Sequence, residues 1–364
     1  MNRVVVDLVK LRFLNCGLGQ FCLNLGNAIQ VANDSQIQPI FALHKEDSHL
    51  IGAGQANYSF VHGWQKERFM SCIRPLIKPF FREHIDLWHS TDQFCRHWPI
   101  NSRVPLLLTI HDLAFLSQKK SQQKIAKYIR RLQKKVDRAT MIATGSHYSA
   151  EEIRKHLNLR GKEIRVIYHG ATMDENLDAE RPANVPEAPF IFGIGTITKR
   201  KNFHTLVGML QHLADYHLVL AGKVMRAYGE WILEEAKQAG VVSRVSLLGE
   251  ITDAERLWLY QNCEAFAFPS LHEGFGLPVV EAMAHGKPVF ISNLTSLPEV
   301  AGELGFQFDD FDSDAMAHVF QHGMNVYRQD PAYADRLRAH ASTFTWERAA
   351  IEHLQLYQEL CDGS

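Results

Sequence analysis

Short, near-continuously apolar runs of β-favouring residues alternate with helical stretches along the whole chain. This alternation limits the possible folds more than any other feature of the sequence. Strands are predicted at Val4–Val9, Pro39–His44, Asp86–His89, Pro105–Ile110, Ala139–Thr144 and Ile164–Tyr168. A second set is predicted at Phe190–Gly195, His217–Ala221, Val245–Leu248, Ala265–Pro269, Pro288–Ser292 and Phe306–Phe308. Strands apolar on both faces and separated by helices indicate parallel sheets covered on both sides, an α/β architecture. The 364 residues are enough for about two domains. The stretch Arg181–Pro189, with Pro182, Pro186 and Pro189, has the composition of an extended linker, and a fresh strand starts after it. The chain therefore reads as two doubly wound domains. Sheets of this type bind ligands outside the carboxyl ends of their strands, so the expected site is the cleft between the domains.

Charge separates the same two parts. The net charge is −1, but residues 1–185 hold 26 Lys+Arg against 17 Asp+Glu, and residues 186–364 hold 13 against 23. The balances are +9 and −10. The near-neutral total argues against a nucleic-acid binder built on bulk positive charge. Apolar runs such as Val104–Ile110 are far shorter than the ~20 residues that span a bilayer. Met1–Lys10, with Arg3 and Asp7, reads as a first strand and not as a signal peptide. Six scattered cysteines with no C-x-x-C fit reduced thiols of a cytoplasmic protein. Cys361 is four residues from the end, but Asp362 stands where a prenylation site needs an aliphatic residue.

The run richest in chemistry is Pro269-Ser-Leu-His-Glu-Gly-Phe-Gly-Leu-Pro-Val-Val-Glu-Ala-Met283. A strand ends, a loop with Gly274 and Gly276 follows, and Pro278 opens a helix. Amides of Gly274, Phe275, Gly276 and Leu277, together with the helix dipole, form a site for a diphosphate. Glu281 is expected in the first helical turn, where a carboxylate can accept two hydrogen bonds from a vicinal diol. Glu273 projects from the loop eight residues earlier, on the side of a sugar joined to that phosphate. An ordinary helix start with favourable acids would account for a lone Gly-x-Gly, but not for the whole run.

This run resembles the E-x7-E motif of retaining GT-B glycosyltransferases, in particular the nucleotide-sugar-dependent family 4. The resemblance covers nearly the whole chain and is densest over Phe190–Phe308. It implies a GT-B fold of two doubly wound Rossmann-like domains facing a cleft. Residues 1–185 would bind the acceptor and residues 186–345 the nucleotide-sugar donor, and residues 346–364, from Trp346-Glu-Arg348, would form a helix crossing back to the first domain. It implies that Glu281 binds the donor ribose and Glu273 the hydroxyls of the transferred sugar. Gly193-Ile-Gly-Thr-Ile-Thr-Lys-Arg-Lys-Asn-Phe203 resembles the donor-phosphate loop, with Lys201 at the family's lysine position. Thr196 stands where many members have arginine, and Arg200 is expected to supply that charge. A leaving diphosphate needs such cations as its charge grows. Leu248-Gly-Glu-Ile251 resembles the loop whose backbone meets the nucleobase. Gly222 and Lys223 are expected to line the same crevice, Lys223 with a surface role equally open. Glu299, in Thr295–Val300, either touches the ribose or caps structure.

In the first domain, Gly17-x-Gly19 follows strand one and opens a helix, but Cys22 replaces the third glycine of a dinucleotide fingerprint. The resemblance gives Gly17 and Gly19 a backbone role toward the donor phosphates and acceptor. His111, in Thr109-Ile-His-Asp-Leu113, resembles the family histidine near the transferred sugar, and Asp112 is expected to orient local backbone. No cofactor or metal is expected, because no spaced His/Cys/Asp set appears. The acidic residues Asp309, Asp310, Asp312 and Asp314 read as a solvated loop and not as an Asp-x-Asp metal site. Lys119–Arg138 carries nine Lys/Arg against Asp137, with Ile125, Tyr128, Ile129, Leu132 and Val136 at helical spacing. That amphipathic helix either meets anionic lipid or a phosphate-bearing acceptor, or is a solvated surface helix. It has too few interleaved aromatics for nucleic acid.

The sequence therefore points to a metal-independent, retaining hexosyltransferase. GDP-mannose is the first choice of donor and UDP-hexose the second. The acceptor is a glycan or lipid-linked glycan of polysaccharide or lipopolysaccharide synthesis, and the enzyme is cytoplasmic or peripheral on the inner face of the membrane. The alternatives are an epimerase or phosphorylase on the same fold, or a non-catalytic glycan-binding subunit.

Overall fold

The structure is a computed structural model that describes residues 1–14, 16–32, 35–52, 56–60, 84–95, 99, 103–117, 121–171 and 177–363. It divides into two compact units, Met1–Gly170 with Trp346–Ser364, and Ala171–Thr345.

The first unit contains a parallel sheet of β1 (Asn2–Asp7), β2 (Ile37–Leu43), β3 (Tyr58–Phe60), β4 (Leu87–Ser90), β5 (Leu106–Thr109), β6 (Met141–Thr144) and β7 (Ile164–Val166). Their order is β3-β2-β1-β4-β5-β6-β7, with every pair parallel. The strand order reverses between β1 and β4, which is where such sheets bind ligands. Helices α1 (Gly17–Ala32), α2 (Gln122–Arg138), α3 (His147–His156) and the C-terminal helix of Trp346–Asp362 belong to this unit. Val5, Leu106, Leu108, Ile110, Leu132, Val136 and Ile142 form the centre of one continuous core. The C-terminal helix is anchored through His89 at the middle of β4. Its Nδ1 shares a hydrogen bond of 2.7 Å with the Tyr357 hydroxyl, and its Nε2 one of 2.7 Å with Thr109 Oγ1. Burial, with the neighbouring His353 and His111, holds His89 well below the usual histidine range, so it stays neutral.

The second unit contains β8 (Phe190–Ile194), β9 (His217–Ala221), β10 (Val245–Gly249), β11 (Ala265–Phe268), β12 (Val289–Ser292) and β13 (Phe306–Phe308). They are parallel throughout, in the order β10-β9-β8-β11-β12-β13. Here the reversal falls between β8 and β11. The loops after these two strands are the two candidate donor segments, and strand order alone sets them side by side. Buried phenylalanines 192, 266, 268, 290, 308 and 320 fill the core.

All twelve predicted strands are present, with ends shifted by at most three residues. The three-residue β3 was not anticipated, and Val9 begins a 3-10 turn, Val9–Phe13, instead of closing β1. The unit boundary also differs from the expected 185/186, because the proline-rich stretch packs on the second unit. Glu180 N–H donates to Ala254 O at 3.1 Å, Ser246 Oγ donates to Asn184 O at 3.3 Å, and Arg181 lies 5.5 Å over the Trp258 ring.

The buried His89–Tyr357 contact gives a direct stability test. Tyr357→Phe leaves a buried imidazole nitrogen unpaired and is expected to lower the free energy of unfolding by about 1–3 kcal/mol in urea titrations.

Candidate functional site

The site in the second unit is built on two loops. The chain leaves β8, turns once through the 3-10 segment Lys199–Lys201, and enters α4 (His204–Leu210). It leaves β11 through Pro269–Gly276 and enters α7, once α5 (Arg226–Gln238) and α6 (Asp253–Asn262) are counted; α7 spans Leu277–Ala284. The loops are stitched together by main chain, since Arg200 O accepts from Leu271 N at 2.8 Å and from Ser270 Oγ at 3.3 Å.

At this junction Glu273 meets both cations predicted for the phosphate loop. Its Oε1 lies 2.7 Å from Lys201 Nζ and 3.2 Å from Arg200 Nη1, and it also accepts from Ser270 Oγ. Arg200 Nη1 donates again to His272 O. Burial by itself would push the Glu273 carboxyl up. Lys201 and Arg200, with the hydrogen bonds from Lys201 and Ser270, outweigh it and hold the group at about 2. The carboxylate is therefore ionised at any physiological pH. Lys201 is only 7% exposed, and its ammonium also sits 4.3 Å from the centre of the Phe268 ring. Of the two cations, Arg200 is the more accessible, with 31% of its side chain exposed against 8% for Lys201. The cluster has a formal charge of +1 at the mouth of the loop.

A third loop braces the second. Thr295 Oγ1 accepts from Glu273 N at 3.1 Å, and Ser296 Oγ bonds Phe275 O at 2.8 Å and Glu273 O at 3.0 Å. Thr295 holds a φ of +60°, so this brace is a constrained turn. Sequence reasoning singled out Glu299 from this segment and passed over the two hydroxyls. Their signal was a Thr-Ser pair at the carboxyl end of a strand. Glu299 lies in the first turn of the short α8 (Leu297–Ala301).

Gly276 is the N-cap of α7 at φ +120°, and a Cβ there would stand 2.7 Å from Leu297 Cδ2. Gly274, Phe275, Gly276 and Leu277 thus bring the chain into a helix N-terminus, as predicted. Glu281, however, is the fifth residue of α7 and lies in its second turn, not the first, because the helix already starts at Leu277, ahead of Pro278. Its Oε2 accepts from the Tyr260 hydroxyl at 2.8 Å. Tyr260, on α6, was missed: a buried aromatic at helical spacing looks like core in a sequence. Ile251 stands just before Thr252, whose side chain and Glu255 form a capping box at the start of α6.

The remaining predicted residues lie in the first unit, and the structure separates them by role. Gly17 opens α1 in the open, with nothing near its missing Cβ. Gly19 is buried, and a Cβ there would lie 2.1 Å from Phe13 O, so packing against the Val9–Phe13 turn requires a glycine there. His111 follows β5. Its Nε2 donates to Thr91 O at 2.8 Å, its backbone N–H donates to Gln93 Oε1 at 3.1 Å, and Phe21 packs edge-on at 4.7 Å. A carbonyl can only accept, so the bond to Thr91 leaves Nδ1 of the neutral ring as its acceptor. Asp112 Oδ1 accepts from Ala114 N at 2.8 Å, a local backbone role. Asp312 caps α9 (Ser313–Gln329) and Asp310 accepts from Asp312 N, so the acidic run is used as turn and cap chemistry.

Helix α2 starts at Gln122, capped by Ser121; Lys119 and Lys120 lie outside the described residues. Leu132 and Val136 are in the core, with Tyr128 and Ile129 packed against it. Lys135 bonds Cys95 O and Arg138 bonds Val104 O. Lys124, Lys127, Arg130, Arg131 and Lys134 are exposed and form no ion pair among the described residues. The apolar face of this helix is thus covered by its own unit, and only the basic face is free.

Two family models match the chain. "Glycosyl transferases group 1" matches residues 178–325, and "Glycosyltransferase Family 4" matches residues 41–175. The O-antigen chain mannosyltransferase B of Escherichia coli is 30% identical over 268 residues, which are 69% of this chain and 70% of that protein. The serotype-specific mannosyltransferase WbdA of E. coli is 31% identical over 63% of this chain, and the match spans only 30% of WbdA. Among solved structures, sucrose-phosphate synthase of Thermosynechococcus elongatus superposes with a TM-score of 0.78 at 20% identity over 100% of both chains.

The Lys201–Glu273 pair has measurable consequences for stability. Lys201→Met leaves a buried carboxylate held only by Ser270 and the half-exposed Arg200 and is expected to cost about 3–5 kcal/mol in urea unfolding at pH 7. Because the folded-state pKa of Glu273 is depressed from 4.5 to about 2, its contribution is complete above pH 4.5 and is lost as the pH falls toward 2. Glu273→Gln is expected to have a flatter stability profile across that window than the wild type, measured by denaturant titration at stepped pH.

Proposed function

The chain belongs to glycosyltransferase family 4 and is a glycosyltransferase, and from that premise we propose that it is a retaining hexosyltransferase of polysaccharide or lipopolysaccharide synthesis. The observation that carries the reading is the Arg200–Lys201–Glu273 cluster beside the N-terminus of α7. A +1 cluster next to the N-terminus of a helix, with its dipole, complements a diphosphate whose charge rises as its bond to the sugar breaks. In this reading Arg200 is the cation that meets the phosphates. Lys201 acts mainly by holding Glu273 ionised and in place. Glu273 receives hydroxyls of the sugar, and Glu281 receives the ribose. His111, Gly17 and the first unit serve the acceptor side.

The bond between the anomeric carbon and the phosphate oxygen breaks, and the acceptor oxygen bonds to the same face of that carbon. The acceptor proton passes to the departing phosphate oxygen, which leaves as nucleoside diphosphate. This step needs no side-chain base and no metal, so the transfer should proceed in EDTA. GDP-mannose is the first donor proposed, in line with the mannosyltransferases named above, and UDP-hexose is the second.

A thermal-shift screen against GDP-, UDP-, ADP- and dTDP-sugars, followed by mass analysis of products in EDTA, tests the reading. Stabilisation by a nucleotide sugar and a hexose mass increment on a glycan acceptor are expected. Stabilisation by non-nucleotide ligands alone would contradict it. Arg200→Ala is expected to lower the transfer rate by about 10²-fold or more while the fold persists. A rate equal to that of the wild type would remove Arg200 from the site.

We also place the enzyme at an anionic membrane surface, reached through α2. No helix among the described residues is long and apolar enough to cross a membrane. Because the apolar side of α2 is taken by the core, the contact is electrostatic, worth about 1 kcal/mol for each of the exposed cations that reaches the surface. Co-sedimentation with vesicles containing phosphatidylglycerol is expected at about 50 mM salt and should be lost at about 500 mM, where screening is short-ranged. Absence of binding at low salt would contradict the placement.

A further inference from the structure

Glu281 is held from outside its own motif. Helix α6 presents one polar side chain toward it, and a cation stands one turn earlier on the same helix. The Tyr260 hydroxyl donates to Glu281 Oε2 at 2.8 Å and approaches Pro278 O at 3.4 Å. Tyr260 is 2% exposed and cannot swing away. Phe192 packs edge-on at 5.2 Å, Phe266 lies at 5.7 Å, and His285 stacks on it at 5.7 Å. Arg256 stands four residues earlier on the same helix. The charge of Glu281 is the largest influence on its guanidinium and favours the charged form, with Asp253 at 3.1 Å adding to it. Glu281 Oε1, by contrast, has no hydrogen-bond partner among the described residues. The carboxylate is therefore tethered by one oxygen and open at the other.

We propose that Tyr260 is the positioning residue that fixes the Glu281 carboxylate with Oε2 turned to α6 and Oε1 presented to a ribose hydroxyl of the donor, with the charge of Arg256, one turn earlier on the same helix, in support. The inference rests on the reading of Glu281 as the ribose ligand. A free glutamate has three torsions to immobilise when it takes a hydroxyl, and the tether removes most of that loss before the ligand arrives. The geometry also makes α6 a shared support. Its capped N-terminus begins right after Ile251, in the loop resembling the nucleobase contact, and its body carries the hydroxyl that holds Glu281. The element that frames the base thus also orients the ribose acceptor, though no residue of α6 belongs to the recognised motifs.

Calorimetry on the full chain tests this with two ligands, GDP and 2′,3′-dideoxy-GDP, and with the UDP pair alongside. The wild type is expected to bind the ribose form more tightly than the dideoxy form. Tyr260→Phe, which keeps the ring and its packing, should weaken binding of the ribose form by roughly tenfold and of the dideoxy form by less than about twofold. Arg256→Gln, at a partly exposed position, should show the same selective loss and serves if Tyr260→Phe melts early. Equal weakening of both ligands would mean a structural role only and overturns the proposal, as does unchanged binding of the ribose form. If the wild type binds no nucleoside diphosphate, the donor reading fails and takes the inference with it. If it binds both forms equally, only the ribose role of Glu281 and its positioning by α6 fail.

Discussion

The buried ion pair between Lys201 and Glu273 organises the second unit's site. It joins the loop after β8 to the loop after β11 across the point where the strand order reverses, at 2.7 Å and with both side chains largely shielded from water. An ion pair so placed offsets its desolvation only when its geometry is good and its remaining hydrogen bonds are made. Both conditions hold: Ser270 and Arg200 also bond the carboxylate, and Phe268 lies under the ammonium. The Thr295–Ser296 brace then fixes the main chain on either side of Glu273. The loop that enters α7 is set by these contacts before any ligand arrives, which is the preorganisation that electrostatic catalysis requires.

The pair also changes how the local charge is counted. The second half of the chain has an excess of acid, with 23 Asp+Glu against 13 Lys+Arg, so its overall field does not attract an anion. Attraction must come from local cations beside a helix start, Arg200 in the cluster and the exposed Lys199 next to it in the chain. The first half carries the opposite excess, and on α2 five exposed cations stand on a face that the core leaves free. The near-neutral total is a cancellation between two surfaces with different surroundings.

Much of this was legible in the sequence because parallel strands buried on both faces have a strong signature. All the long apolar runs became strands, and only β3, Tyr58–Phe60 at the sheet edge, was not anticipated, because its Tyr-Ser-Phe run is not continuously apolar. The E-x7-E run and the three-cation turn were visible as motifs. Their pairing was not, since Lys201 and Glu273 are 72 residues apart and meet only through strand order. Gly19 carries a requirement the sequence did not show, since a Cβ there would meet Phe13 O. The helix start of α7 misled by one residue, enough to move Glu281 into the second turn, because Pro278 stands at the second helical position and not at the first. Tyr260 was hidden by its resemblance to core, and Thr295 and Ser296 by their small size.

The central claim is that the donor diphosphate is captured by Arg200 and the amides entering α7, with Glu273 held beside it by Lys201. A crystal structure with a bound nucleoside diphosphate tests that most directly. The account expects phosphate oxygens about 3 Å from the Arg200 guanidinium and from amides within Gly274–Leu277, with the ribose at Glu281. A nucleotide bound with its phosphates away from Arg200 and the α7 N-terminus would contradict it.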